Sequence, residues 1–421
     1  MRKTATLTVL AALNLTLGYA QQWYLLIRIG PGAETDALFA AMAIPWMVLA
    51  TVSESLANVL LPMLATRSAV ERRQAVWQFM YFTGFAFGLL SLLLAATAGL
   101  WVPLVFPGFA PGQSAMCIAL TRTLLAGMFL NALATVLISS AGAGGQFVRA
   151  EGVTLAANLL ATVVVVGLAG PLGVASYAWC LIAKFGLILA LLRGELGRFR
   201  RVDARFADLR SAARRLVPLM LGASYYKTDM VVDRYLTSLS PPGALSLLYL
   251  AQQIYGAGNQ VLTRAAIAPL MPRLAVAAGH GDWKGVTALW WRAMLATGLV
   301  AAVIYVGIAL AGEPALDLVL GYRQFTADKL HLFWMLLLAL GGVWIGGMLG
   351  SVVVNSFYAV GDTRTPTWVG VVSYTVYLPV KIFVFFRYGL LAMAICASAY
   401  YLINLMVMAA LFRVQANQRS R

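Results

Sequence analysis

Apolar residues fall in blocks of about 20 or more along this chain, the length a helix needs to cross the hydrocarbon core of a bilayer. Twelve such blocks can be marked, at 5–29, 36–64, 76–106, 113–141, 148–170, 172–193, 213–238, 243–273, 287–312, 329–357, 365–386 and 389–413. The connections are short except for 194–212, GELGRFRRVDARFADLRSA, which is polar and basic. The stretch Leu17–Arg67 shows the plan in small. It predicts two crossings joined by a Gly30-Pro31-Gly32 turn, yet it carries Gln21, Gln22, Arg28, Asp36 and Glu54. A charge near the bilayer centre costs about 3 kcal/mol or more, so such groups face a partner or a water-filled cavity. The pattern predicts an all-α polytopic membrane protein with a polar interior.

Composition agrees: 61% of the 421 residues are hydrophobic and 11% charged, with a mean hydropathy of +0.82. The net charge of +16 raises the question of nucleic acid, but its distribution answers it. With the amino terminus cytoplasmic, 21 of the 31 Lys and Arg residues fall on the inner side, in loops, tails or the inner ends of the blocks, and 4 on the outer edge. That asymmetry is the positive-inside pattern and implies contact with anionic phospholipid headgroups, not nucleic acid. It predicts a bacterial cytoplasmic (inner) membrane protein with both termini cytoplasmic. Met1-Arg2-Lys3 and the apolar run after it read as the first helix, because the run is long and leads into further spans.

Cys117, Cys180 and Cys396 lie in apolar runs, and His280 and His331 are isolated, so no disulfide or metal framework is expected. No phosphate-binding loop and no catalytic constellation occurs. The chain therefore reads as neither an enzyme nor a cofactor protein.

The chain also repeats. Leu17-Gly18 to Leu61-Pro62-Met63-Leu64 is echoed by Leu221-Gly222 to Pro269-Leu270-Met271-Pro272, with Arg28 answered by Arg234. SSAGAGGQFVRAEG (139–152) is echoed by NSFYAVGDTRTPTW (355–368), aligning Arg149 with Arg364. Two duplicated halves are a common transporter plan. The expected organisation is a six-helix lobe over 1–193, a basic cytoplasmic linker over 194–212, a second six-helix lobe over 213–413 and a tail over 414–421.

Polar residues gather on the equivalent helices of the two halves. Asn14, Gln21 and Arg28 are spaced by sevens and share a face. Thr51, Glu54 and Asn58 share another, on a helix that Pro45 interrupts with an expected kink or freed carbonyl. The seventh segment carries Lys227 and Arg234 on one face and Asp229 and Asp233 on another. The eighth carries Gln253, Gln260 and Arg264 along one stripe, with Gln252, Tyr255, Asn259 and Thr263 along the next. The pattern points to a central cavity. Arg28, Asp36, Glu54, Lys227, Arg234, Gln253 and Arg264 are its candidate lining, and Glu54, Asp229 and Asp233 are candidates for coupling to an ion gradient. Plainer readings stand beside these. Arg28, Lys184 and Lys381 can snorkel to headgroups, Lys381 above all. The four charges of the seventh helix can neutralise one another, and Asp36 can cap the second helix. Arg122 is one further embedded cation.

Two motifs resemble a known family. Gly32-Ala33-Glu34-Thr35-Asp36-Ala37-Leu38-Phe39, with Ile44-Pro45, Glu54 and Leu61-Pro62, resembles the first hairpin of the lipid II flippases (MurJ/MviN). Phe357-Tyr358-Ala359-Val360-Gly361-Asp362-Thr363-Arg364-Thr365-Pro366 resembles that family's loop before its eleventh helix. The resemblance implies the multidrug/oligosaccharidyl-lipid/polysaccharide exporter fold. It also implies a flippase that moves a polyprenyl-diphosphate-linked glycan, a peptidoglycan precursor, to the outer leaflet by alternating access, with glycan-assembly enzymes as partners. Where the family usually has arginines, this chain has Thr16, Gln22, Leu49, Ala50 and Gln253. That departure keeps open a lipid-linked exopolysaccharide or O-antigen unit as cargo. A cation-coupled drug exporter and a non-transporting scaffold are the remaining alternatives.

Overall fold

The computed structural model describes the backbone of residues 2–197, 224–262, 268–321 and 324–420, and their side chains except those at 2–5, 52–54, 262, 268 and 269. Most of the expected linker, Arg264 and the side chain of Glu54 therefore lie outside the described residues. Every regular element described is helical. The first part holds α1 (Arg2–Ile29), α2 (Ala33–Ala41), α3 (Ala43–Ala65), α4 (Ala69–Ala96), α5 (Ala98–Val105), α6 (Pro111–Ala143), α7 (Phe147–Leu172) and α8 (Ala175–Leu191). A helix over 224–238, α9, follows. The chain then forms α10 (Ala244–Leu262), α11 (Ala268–Gly279), α12 (Trp283–Leu320), α13 (Ala327–Ala339), α14 (Gly341–Ala359) and α15 (Arg364–Arg419).

Seven stretches are long and apolar enough to cross a membrane: Ala33–Ala65, Ala69–Ala96, Pro111–Ala143, Phe147–Leu172, Trp283–Leu320, Ala327–Ala359 and Arg364–Arg419. The last is 56 residues, about 84 Å if straight, far more than one bilayer needs. It is a hairpin. Gly389 breaks it with φ 82, Tyr377 stacks on Tyr400 at 4.2 Å, and Gln415 Nε2 returns to donate to Asp362 Oδ2 at 3.2 Å. Its two legs match the expected segments 365–386 and 389–413.

The chain divides into two compact units, Met1–Leu245 and Ser246–Arg421. In the first, α6 packs against α2, α3, α4, α5 and α8, while α1 packs on α7. Leu49, Phe87, Leu125, Met128 and Ala132 form a buried cluster there. In the second, α14 lies against α12 and α15, around Trp290, Val353, Phe357 and Phe412. Small residues set that approach: a Cβ on Gly342 would meet Ser398 at 2.6 Å, and one on Gly346 the Tyr401 backbone at 2.9 Å. This is the small-residue packing on which helices in lipid rely.

The repeated motif forms the same turn in both units. Gly144, Gly145 and Gln146 donate to Ser140, Gly142 and Ala141; Val360, Gly361 and Asp362 donate to Ser356, Tyr358 and Phe357. Gly145 (φ 73) and Gly361 (φ 82) take the left-handed position, which glycine reaches without steric cost. This register sets Arg149 against Thr365, one residue from the Arg364 that the sequence alignment chose. In each unit a residue from later in the chain bonds to the turn or its flank. Glu195, buried, accepts from Arg149 Nη1 at 3.3 Å and Ser140 Oγ at 3.1 Å, and Gln415 plays the matching part at Asp362.

Asp362 caps α15, accepting from the amides of Arg364 at 3.1 Å and Thr365 at 3.0 Å and from Thr365 Oγ1 at 2.7 Å. Partial burial raises its pKa, but the bonds from Thr365, Arg364 and Gln415 together hold it below the ordinary carboxylate value. A depressed carboxylate stabilises the fold fully above its unfolded pKa, about 4, and loses that contribution as pH falls through the lower folded value. Melting of the purified protein should therefore drop more steeply below about pH 4 in the wild type than in Asp362→Asn. Parallel pH profiles would contradict the capping role.

Candidate functional site

The site grows from a helix break. Pro45 has no N–H and its ring crowds the carbonyl four residues back. The second crossing accordingly splits at Met42 into α2 and α3. Carbonyls in the last turn of a helix lack intrahelical partners and need donors from elsewhere. Phe39 O finds one in Arg234 Nε of α9, at 2.7 Å. Arg234 Nη1 also donates to Met230 O at 3.1 Å, and the side chain is buried. One helical heptad earlier, Lys227 Nζ donates to Ala50 O of α3. The expected face of α9 is thus present, and it runs antiparallel to α2–α3.

The same region is clamped at its far end. Asp36 is buried, and its Oδ2 accepts from the Gly243 amide at 2.6 Å. Asp36 does not cap its own helix. Thr35 does so, with Oγ1 accepting from Gly32 N at 2.9 Å and donating to Gly30 O at 3.0 Å. Gly243 has φ 99, and a Cβ there would meet Pro31 O at 3.1 Å. Gly108 closes on α9 from another side, since its Cβ would fall 2.1 Å from Ser238 O. Asp36 and Arg234 thereby fasten α2 to one segment, 234–243.

The other expected site residues are distributed more widely. Arg28 is exposed in the last turn of α1, unlike its repeat counterpart Arg234. Asp229 and Gln253 are half-buried and Asp233 is buried; all three are engaged. The polar stripe of α1 proves to be glue. Asn14 Nδ2 donates to Glu151 Oε2 at 2.8 Å and accepts through Oδ1 from Asn158 at 2.9 Å. Gln21 Nε2 donates to Asn158 O at 3.0 Å and Thr162 Oγ1 at 3.1 Å, and Gln22 donates to Tyr177 OH at 2.8 Å. These groups stitch α1 to α7 and α8 in place of lining a cavity. The snorkelling reading of Lys381 also fails: its side chain is 1% exposed and lies 5.2 Å from the Tyr377 ring centre. Pro379, two residues earlier inside the helix, gave no hint of that burial.

Sequence reasoning missed Gly243 and Gly108, whose roles lie in close backbone approach. Their Pro-Gly turns, Pro242-Gly243 and Pro107-Gly108, were the available signal.

Solved structures of membrane transporters align with this chain over nearly its whole length. A structure described as lipid II flippase MurJ in an inward closed conformation aligns with a TM-score of 0.82 at 16% identity, over 98% of this chain and 89% of that one. An inward-facing multidrug resistance MATE family transporter of the MOP superfamily aligns with a TM-score of 0.73 at 16% identity, over 98% and 95%. At such identities the likeness defines a fold, the all-helical fold that those two solved proteins share. The family model described as lipid II flippase MurJ matches residues 27–419, and the chain belongs to that family. Proteins named probable lipid II flippase MurJ are similar in Vibrio cholerae, 23% identical over 205 residues (47% of this chain, 37% of that protein), and in Haemophilus influenzae, 23% over 167 residues (38% and 32%). The matched stretch spans less than two fifths of these curated relatives.

The clamp at Asp36 has a measurable consequence. Asp36→Ala leaves the Gly243 amide without its acceptor, a loss of about 1–3 kcal/mol. It should lower the melting temperature in detergent and speed amide exchange across 239–244, with Asp36→Asn milder on both. Wild-type melting and exchange in Asp36→Ala would remove Asp36 as a fastener.

Proposed function

We propose that the protein moves a polyprenyl-diphosphate-linked glycan, of the lipid II class of peptidoglycan precursor, from the cytoplasmic to the outer leaflet by alternating access. Family membership across residues 27–419 carries this reading, and the chemistry of α9 supports it. A diphosphate cannot enter a low-dielectric slab unless donors replace its hydration, and cationic side chains do this best. Among their contacts, Lys227 and Arg234 each donate to a neutral carbonyl. Exchanging a carbonyl for an anionic phosphate oxygen gives a stronger, charge-assisted bond. Arg28 and Arg264 are the further cationic candidates and Gln253 a neutral one, while Asp36 holds α2 in register.

No nucleotide-binding motif occurs, so ion or potential coupling through Glu54, Asp229 or Asp233 is the proposed drive. The excess of inner Lys and Arg supports a bacterial cytoplasmic membrane placement with both termini cytoplasmic. Two six-helix lobes, 1–193 and 213–413, are the organisation in which we read the repeated turns. Anionic phospholipids and glycan-assembly enzymes are the proposed partners.

One observation favours a second cargo. At positions where the resemblance implies arginines, Leu49 belongs to the buried cluster with Phe87 and Met128, and Gln22 is committed to Tyr177. A cavity with fewer cations suits a lipid-linked exopolysaccharide or O-antigen unit.

Reconstitution tests the reading. Vesicles holding the wild type should expose a fluorescent lipid-linked glycan to a reagent in the opposite compartment. Arg28→Ala, at an exposed site where truncation spares the fold, and Lys227→Met should each slow exposure ~10-fold or more, the loss of a charge-assisted bond. Wild-type rates in both variants would sink the cationic site.

A further inference from the structure

Arg122 is the only charged residue of α6, and neither α5 nor α4 beyond Arg73 carries another. It is exposed in the middle of an apolar surface, on a stripe with Ala115, Ala119 and Ala126. An exposed arginine so far along a membrane helix needs an anion or water.

Its surroundings indicate which. The third crossing breaks at Thr97, between α4 and α5, and the break turns three successive carbonyls toward side-chain donors. Leu93 O accepts from Thr97 Oγ1 at 2.7 Å, Leu94 O from Trp101 Nε1 at 3.0 Å, and Ala95 O from Arg122 Nε at 3.2 Å. With Nε held, the guanidinium is fixed and its two Nη groups make no hydrogen bond among the described residues. On either side of the same break, Leu93 and Leu100 are 54% and 73% exposed, as befits side chains that meet acyl chains. Tryptophan with its N–H engaged is typical of the membrane–water interface.

The depth agrees. Arg122 lies 11 residues into α6, about 16 Å from its start. The 33 residues of α6 span about 50 Å, some 20 Å more than the hydrocarbon core. Shared between both ends, that surplus puts the interface about 10 Å along the helix. The remaining distance of about 6 Å is one a snorkelling arginine covers.

We propose that Arg122, oriented by the α4–α5 break, binds the phosphate of an anionic phospholipid in the leaflet opposite the amino terminus. A planar guanidinium with two free amines matches phosphate oxygens bidentately. The exposed leucines and alanines receive the acyl chains. The site is independent of the cargo proposed above, since it stands on the flank of α4, α5 and α6.

Native mass spectrometry of the full chain in detergent tests this, with phosphatidylglycerol or a diacylglycerol of the same acyl chains as probe. The wild type should hold one phosphatidylglycerol that R122Q holds ~10-fold more weakly or worse, and neither should retain diacylglycerol. Equal retention of phosphatidylglycerol by R122Q, or equal retention of both lipids by the wild type, overturns the proposal. A fall in oligomer mass with unchanged lipid count also overturns it, because the face would then contact protein. If R122Q does not fold, R122K decides: a compact ammonium lacks the fork, so it should weaken retention severalfold, and wild-type retention counts against the site.

Discussion

A backbone polar group inside a bilayer has no water to fall back on, and this requirement organises the molecule. Unbroken helices meet it alone; broken ones cannot. At three of the breaks described, a side chain from another part of the chain bonds the backbone there. Arg234 serves the α2–α3 break at Phe39. Arg122 and Trp101 serve the α4–α5 break. Ser398 serves the α13–α14 break, donating to Ala339 O while accepting from Gly342 N at 3.1 Å and Val343 N at 3.3 Å. Breaks and polar side chains are placed together because neither is stable in lipid without the other.

This pairing connects architecture to the proposed transport. Under the proposed function, a helix break held by a side chain would have a second state, in which a ligand takes the side chain's donors. Arg234 and Lys227 donate to carbonyls in the state described, and under the proposed function an anionic headgroup would compete for the same donors. Asp36 at Gly243 is a different kind of contact, carboxylate to amide at the start of α10. It would be strengthened by the positive end of that helix and gains nothing from an anionic cargo. On that proposal the cations are the exchangeable contacts and Asp36 is a fastener.

Much of this was legible in the sequence, for identifiable reasons. The apolar blocks gave the helices, and Pro45 gave the α2–α3 break, because hydropathy and a missing N–H are local properties. The seven-residue step from Lys227 to Arg234 gave their shared face. What failed was the destination of a polar face. Asn14 and Gln21 share a side as expected, but that side meets Glu151, Asn158 and Thr162, which no periodicity on α1 discloses. Lys381 failed for the same reason: position along a helix says how far the interface is, not whether a tyrosine ring and a returning leg cover the route. The repeat was legible to within one residue, and only the turn hydrogen bonds fixed its register.

The central claim is that cations on α9 hold a diphosphate headgroup. Lipid mass spectrometry of the protein extracted from its own membrane tests it most directly, comparing the wild type with Lys227→Gln/Arg234→Gln matched for yield and monodispersity. The account predicts a polyprenyl-diphosphate glycan in the wild type that is depleted ~10-fold or more in the double variant. Ordinary phospholipid alone in the wild type, or equal glycan-lipid in both, would contradict it.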